Sequence, residues 1–211
     1  MRADDGYHLI DAEMVTLGLA DELVVDPSAT NTLPADDLVS KALRVVGRDA
    51  SVAVTKRIPA GAGLGGGSAD AAAVLRWAGC DDVAVAASVG ADVPFCLVGG
   101  GRALVRGIGE LVEPLPFESR AFTLLPPPLH VSTPAVYARW DEIGGPSDPA
   151  GVNDLVPAAL SLHPELATWR DQLGDATGLV PRLAGSGGTW FVDGSFPGCA
   201  PGAVVTRTDR P

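Results

Sequence analysis

Lysine is almost missing from this chain: Lys41 and Lys56 are the only two in 211 residues. Lysine and arginine together number 15, against 26 acidic residues, for a formal net charge of −11. A nucleic-acid binder needs clustered Lys and Arg to meet the phosphate backbone, so that class is excluded. An anionic small molecule is not, because a few backbone amides or one lysine can make a site locally positive. Cysteine is scarce too, and Cys80, Cys96 and Cys199 are widely spaced and odd in number. They form no zinc pattern and no even disulfide framework, and read as reduced thiols. No apolar run is long: VAVAASVGADVPFCLV is broken by Asp92 and Pro94, so no membrane span is expected. The opening MRADDGYHLI is acidic and lacks an apolar core, which argues against a secretory signal. There is no fixed-period repeat and no low-complexity tail. The expectation is a soluble, cytoplasmic protein whose oligomeric state the sequence leaves unknown.

What is there suffices for a fold. Hydrophobic residues make up 46% and charged residues 19%, which excludes a disordered chain. Residues 8–25 alternate loosely and read as strand, turn, strand. DDLVSKALRVVG, residues 36–47, sets Leu38, Ala42, Leu43 and Val46 at helical spacing, with Gly47 as a stop. SVAVTKRI alternates as a strand up to Pro59. A helix is expected from about Ser68 to Trp77, capped by Ser68, and a second from Val83 to Val89, ended by Gly90. FCLVGGGRALVRGIGELV reads as two strands joined by Gly-rich turns. The composition shifts at Pro114–Ser119, and a second unit follows with an apolar strand, FTLLPPP. Helical patterns near 134–142 and 165–173 come next, then a strand, glycine turn and strand in LAGSGGTWFVDG. The fold expected is α+β, with mixed sheets and helices in two domains, 1–118 and 119–211.

The densest signal is KRIPAGAGLGGGSADAAAVLRW, residues 56–77, with glycines at 61, 63, 65, 66 and 67. A flexible linker is a poor reading, since the cluster sits tightly between a strand pattern and a helix pattern. Gly61, Gly63 and Gly66 satisfy G-x-G-x-x-G, but a dinucleotide fingerprint also wants a strand ending in an acid about 20 residues on. Asp81 and Asp82 lie near that distance, behind a turn rather than a strand. No Lys-Ser or Lys-Thr follows the glycines, so the Walker form is excluded. A phosphate cradle at a helix N-terminus fits best, with backbone N–H groups and the helix dipole facing an anion. A purely structural tight turn stays open.

PAGAGLGGGSADAAA resembles the signature loop of the GHMP small-molecule kinases. ADDGYHLIDAEMVTLGLADEL, VGADVPFCLVGGGRALVRGIGE, STPAVYARW, NDL and LAGSGGTWF extend the resemblance, in the family's order, over most of the chain. The match is narrowest to the branch that phosphorylates the 2-hydroxyl of a cytidine-diphosphate-linked methylerythritol in the non-mevalonate isoprenoid pathway, with ATP and Mg²⁺. The resemblance implies a two-domain GHMP-kinase-like fold with the ATP site in the first domain. It implies that Pro59, Ala60, Gly61, Ala62, Gly63, Leu64, Gly65, Gly66, Gly67, Ser68 and Ala69 wrap the ATP phosphates, with Lys56 on the adenine side. Asp92, in GADVPF, would be the catalytic aspartate that orients or deprotonates the substrate hydroxyl. Tyr7 and His8 would meet the cytidine, Tyr137 would stack on the base's other face, and Thr133 would lie near the substrate. No residue of the chain is expected to form a dedicated metal site.

The sequence also departs from that pattern. Asp37 stands where the family usually has asparagine, and Ala69 replaces a second serine. The family's opening strand, AKINL-like, precedes DGYH and carries a lysine that faces the catalytic aspartate and the transferring phosphate. The sequence here opens at Met1-Arg2-Ala3-Asp4-Asp5-Gly6 without it. The expectation is a translation start upstream of Met1; the other reading is a nucleotide-binding relative impaired in catalysis.

Overall fold

The computed structural model describes residues 8–145 and 152–210. The chain divides into two units: residues 1–57, 65–119 and 208–211 form the first, and 58–64 with 120–207 form the second. The architecture is α+β.

In the first unit, β1 (Ile10–Val15), β4 (Arg102–Gly107) and β5 (Leu111–Pro114) form an antiparallel sheet with β4 central. Ala12 pairs with Val105, and Val105 with Val112, so apolar side chains fall in line across the three strands. A separate antiparallel pair joins β2 (Glu22–Asp26) to β3 (Ser51–Thr55). Four helices complete the unit: α1 (Leu38–Val45), α2 (Gly66–Trp77), α3 (Val83–Val89) and α4 (Val93–Val98). Asp37 caps α1 by accepting from the Val39 amide, and Asp82 caps α3 in the same way from Ala84 and Val85. The core lies among the helices: Ala42 and Leu43 of α1, Ala71, Ala72, Val74 and Leu75 of α2, and Ala86 and Val89 of α3 are all buried. The alanines of α2 leave room for close helix contact, and removing the buried Leu75 side chain would cost about 2–5 kcal/mol.

The second unit is built on an antiparallel sheet in the order β7 (Arg182–Leu183), β8 (Trp190–Asp193), β6 (Ala121–Leu125), β9 (Val204–Arg207). The helices α5 (Thr133–Glu142), α6 (Val156–Leu162) and α7 (Leu166–Thr177) accompany it. Leu125, Val136, Ala159, Leu166, Leu173 and Trp190 meet in its core. Phe122 of β6 and Phe191 of β8 contact edge to face at 5.9 Å.

Three local expectations are corrected. FCLV, residues 95–98 and read as strand, is the greater part of α4 (Val93–Val98). A six-residue apolar run has no periodicity of its own, and Pro94 in its first turn favours a helix start. β3 stops at Thr55 rather than at Pro59. α2 begins at Gly66, with Gly65 and not Ser68 as its N-cap. α6 and β9 were not anticipated: the first follows a loop, and the second lies in a Gly/Pro-rich tail.

Candidate active site

Three pieces of the first unit bear on the expected chemistry. The first is the start of α2. Gly65 caps it in the left-handed conformation, φ 67°, and supplies no side-chain acceptor to the opening amides. The first amides of any helix have no intrahelical partner, and the dipole adds partial positive charge there. A Cβ on Gly65 would meet nothing within 4 Å, so the space beside the helix cap is open. Ser68 sits inside the first turn, buried, and its hydroxyl makes no hydrogen bond among the described residues. Uncapped amides, a free hydroxyl and open space suit an anionic oxygen.

The second piece is Asp92, the residue between α3 and α4. It occupies the N-cap of α4 but makes no side-chain cap bond. The segment is held rigidly: the Val93 amide donates to the Gly90 carbonyl at 3.1 Å, and Cys96 to the Asp92 carbonyl at 3.2 Å. Gly109, in the β4–β5 turn, lies so close that a Cβ there would sit 2.0 Å from the Ala91 carbonyl oxygen. Among the described residues, no hydrogen bond or ion pair reaches the Asp92 carboxylate. Burial pushes its pKa above the ordinary aspartate value. A fixed carboxylate with spare acceptor capacity and raised basicity can take a proton from a hydroxyl.

The third piece is Lys56. Its ammonium donates to Asp21 and, at 3.0 Å, to Asp70 of α2. Those two carboxylates are almost fully buried, at 1% and 8% side-chain exposure, whereas Lys56 is 41% exposed. Burial works against the lysine's charge, yet the hydrogen bonds to Asp21 and Asp70 outweigh it and hold the ammonium above its ordinary pKa. Burial likewise raises the Asp70 carboxyl, with Lys56 opposing it only in part. The sequence reading did not find Asp21 or Asp70. His8 is half-buried ahead of β1; Tyr7 lies outside the described residues.

The second unit holds the other half of the glycine loop. The Thr189 amide donates to the Ala62 carbonyl at 3.1 Å, and the Ala184 amide to the Thr189 carbonyl at 2.9 Å. Gly63, at φ 76°, is wedged in: a Cβ would fall 2.4 Å from the Ala184 oxygen and 2.6 Å from the Gly187 Cα. The His130 ring fills the space a Cβ on Gly61 would need. Asn153, within NDL, steadies the turn from behind by donating to the Leu183 and Gly185 carbonyls at 3.0 and 2.7 Å. The Thr133 hydroxyl is 2.7 Å from that of Ser186, in the same turn. Thr133 is exposed, and Tyr137, one helical turn further along α5, is half-buried. Thr189 Oγ1 is buried with no partner among the described residues. Thr133 is thus joined to the glycine turn, while Asp92 and Lys56 belong to the first unit. Ser186 lies in LAGSGGTWF, one of the stretches that carry the resemblance, whereas His130 lies in none of them and was missed.

A glycine-framed, uncapped helix start followed by a fixed, unpartnered aspartate is an arrangement suited to phosphoryl transfer to a small molecule. The family model for the GHMP kinases N terminal domain matches residues 37–100, which contain α1, the loop, α2 and Asp92. The chain is 35% identical to 4-diphosphocytidyl-2-C-methyl-D-erythritol kinase of Paramagnetospirillum magneticum, over 90% of this chain and 82% of that one. It is 37% identical to the protein of the same name from Cereibacter sphaeroides, over 89% and 81%. A crystal structure of 4-(cytidine 5'-diphospho)-2C-methyl-D-erythritol kinase superposes with a TM-score of 0.78 at 32% identity, over 99% of this chain and 93% of the other. Homoserine kinase from Cytophaga hutchinsonii, at 16% identity and a TM-score of 0.57, shares the fold. The chain belongs to the 4-diphosphocytidyl-2-C-methyl-D-erythritol kinase family.

Proposed function

We propose that this protein is an ATP-dependent small-molecule kinase that phosphorylates the 2-hydroxyl of 4-diphosphocytidyl-2-C-methyl-D-erythritol, supplying isoprenoid precursors. The observation that carries the reading is identity of 35% to a kinase of that name over 90% of the chain, in a protein that holds an open helix start and a rigidly placed Asp92. The amides of Gly66, Gly67 and Ser68, with the Ser68 hydroxyl, receive phosphate oxygens of ATP, where the α2 dipole opposes their charge. Pro59 to Leu64 and Ala69 complete the loop around the phosphates, with Lys56 at its foot on the adenine side. Asp92 accepts the proton of the substrate hydroxyl as its oxygen bonds to the γ-phosphorus and ADP leaves. His8, Thr133 and Tyr137 belong to the substrate side, with Tyr7 beside His8 in the sequence. Aromatic faces and an imidazole that both donates and accepts suit a flat polar base.

No cluster of three or more metal-ligating side chains forms among the described residues. Mg²⁺ therefore enters the reading as a companion of the nucleotide, held chiefly by phosphate oxygens, where it neutralises charge. No described helix is long and apolar enough to cross a membrane, which is compatible with work in the cytoplasm on a small substrate. Residues 1–118 are read as the ATP-binding domain and 119–211 as the partner domain, although the structural division groups Ile58–Leu64 with the second unit.

The test is direct phosphorylation. Purified protein, given labelled ATP, Mg²⁺ and the cytidine-linked substrate, should yield a phosphorylated product and ADP in equal amounts. Absence of product from an N-terminally extended version as well as from this chain would overturn the reading.

A further inference from the structure

The glycine-rich loop leaves the end of β3 and returns as α2, and one ion-pair network joins its two feet. Lys56 is the first residue past β3, and Asp70 lies in the second turn of α2; the 3.0 Å bond between them closes a span of 14 residues. Asp21, from the β1–β2 connection, grips the same foot twice. One carboxylate oxygen accepts from the Lys56 ammonium and the other from the Arg57 backbone amide at 2.5 Å. Two nearly buried carboxylates share the Lys56 ammonium, so its charge is committed to them rather than to a phosphate. The second lysine of the chain, Lys41, has no part in it. A loop tethered at one foot would let the start of α2 fray, because opening amides lack intrahelical bonds.

We propose that Asp21, Lys56 and Asp70 are positioning residues, a clasp across the feet of the loop that holds the open amides of Gly66–Ser68 in place. The role deepens the nucleotide-binding reading and rests on it. Lys56 acts through the two carboxylates rather than by gripping the nucleotide. Hydrogen bonds to charged groups are worth factors of about ten to a hundred, and that sets the size of the expected effects.

Two measurements on K56M, K56R, D70N and the K56M/D70N double variant separate the possibilities. Amide hydrogen exchange at residues 65–69 of the ligand-free protein reports the clasp itself. Calorimetric titration with ATP reports its use. K56M and D70N should each speed exchange about ten- to a hundredfold and weaken ATP binding by a similar factor. The double variant should be no worse than K56M, and K56R should recover part of both. Where activity is measurable, the change should fall on KM for ATP more than on kcat. K56M removes the ammonium shared by two nearly buried carboxylates and is the variant at risk of misfolding; D70N keeps the Lys56–Asp21 pair and carries the test alone if needed. Unchanged exchange in D70N, or weakened ATP binding in K56M without faster exchange, overturns the clasp. A parent chain that binds no ATP overturns the nucleotide reading instead, and the exchange results then still decide whether the clasp exists.

Discussion

Replacing Asp92 with asparagine should destroy catalysis and stabilise the protein. The carboxylate is half-buried, makes no side-chain cap bond to α4 and has no hydrogen-bond partner among the described residues. Asparagine is nearly isosteric, so removing the charge forfeits no contact and lifts the desolvation that raises the aspartate's pKa. The gain should be on the order of 1 kcal/mol, the scale of a single stabilising substitution, and each kcal/mol moves Tm by about 2–4 °C in a chain of this size. The sign follows from linkage. The folded-state pKa is raised, so the native protein holds its proton to higher pH than the unfolded chain does. Asp92 therefore costs nothing below the unfolded value, 3.8, and its cost grows as pH rises from there through the native pKa. The Tm difference between the variant and the parent should vanish in strong acid, open across that window and stay constant above it. Phosphoryl transfer should fall by about a hundred- to ten-thousandfold, the usual worth of a general base. The assay is a pair of curves, Tm against pH by calorimetry and turnover at saturating ATP. Retained turnover would refute the role; a lower Tm at neutral pH would refute the account of the burial.

The glycines offer a contrast within one loop. Gly63→Ala combines left-handed strain with a Cβ 2.4 Å from the Ala184 oxygen, and should cost about 2–5 kcal/mol in urea unfolding. Gly65→Ala meets open space and should cost only the left-handed strain, about 1–2 kcal/mol, while weakening ATP binding measured by titration. Cys96, four residues past Asp92, has its thiol pushed up to about 12, first by burial and then by the Asp92 charge. The thiol therefore stays protonated at pH 8, and native-state alkylation followed by mass spectrometry should spare Cys96 until the protein unfolds.

The candidate site was legible where its signal is local. A strand pattern, a glycine cluster and an alanine-rich helix are neighbours in sequence, and the structure keeps them so around Lys56–Trp77. Asp92 came from the resemblance of GADVPF to the family pattern, and the turn marked by Gly90 and Pro94 only agrees with it. The helix start itself was misjudged, since a serine is a good cap in general but a left-handed glycine can begin a helix with no side chain at all. α4 was mistaken for a strand because six apolar residues carry no usable period. The Asp21 link to Lys56 spans 35 residues, and that of Thr133 to Ser186 spans 53. Pairings of that range arise from topology, and a single sequence holds no mark of them.

The loop read as one motif, yet its glycines answer to two different constraints. Gly61 and Gly63 are required by neighbours: the His130 ring fills the place of one Cβ, and the Ala184–Gly187 turn that of the other. Gly65 is required by nothing that touches it; its backbone turns left-handed beside empty space and opens the helix without a capping side chain. A glycine that serves packing is diagnosed by what a side chain would strike. One that serves a ligand is diagnosed by room left over at a place where backbone donors are unspent. By that criterion Gly61 and Gly63 are fixed by packing within the second unit, and the phosphate contacts proposed for the loop fall chiefly on the free amides that follow Gly65. The chemistry therefore depends on how firmly the α2 end is anchored in its own unit, which is where Lys56 spends its charge on Asp21 and Asp70.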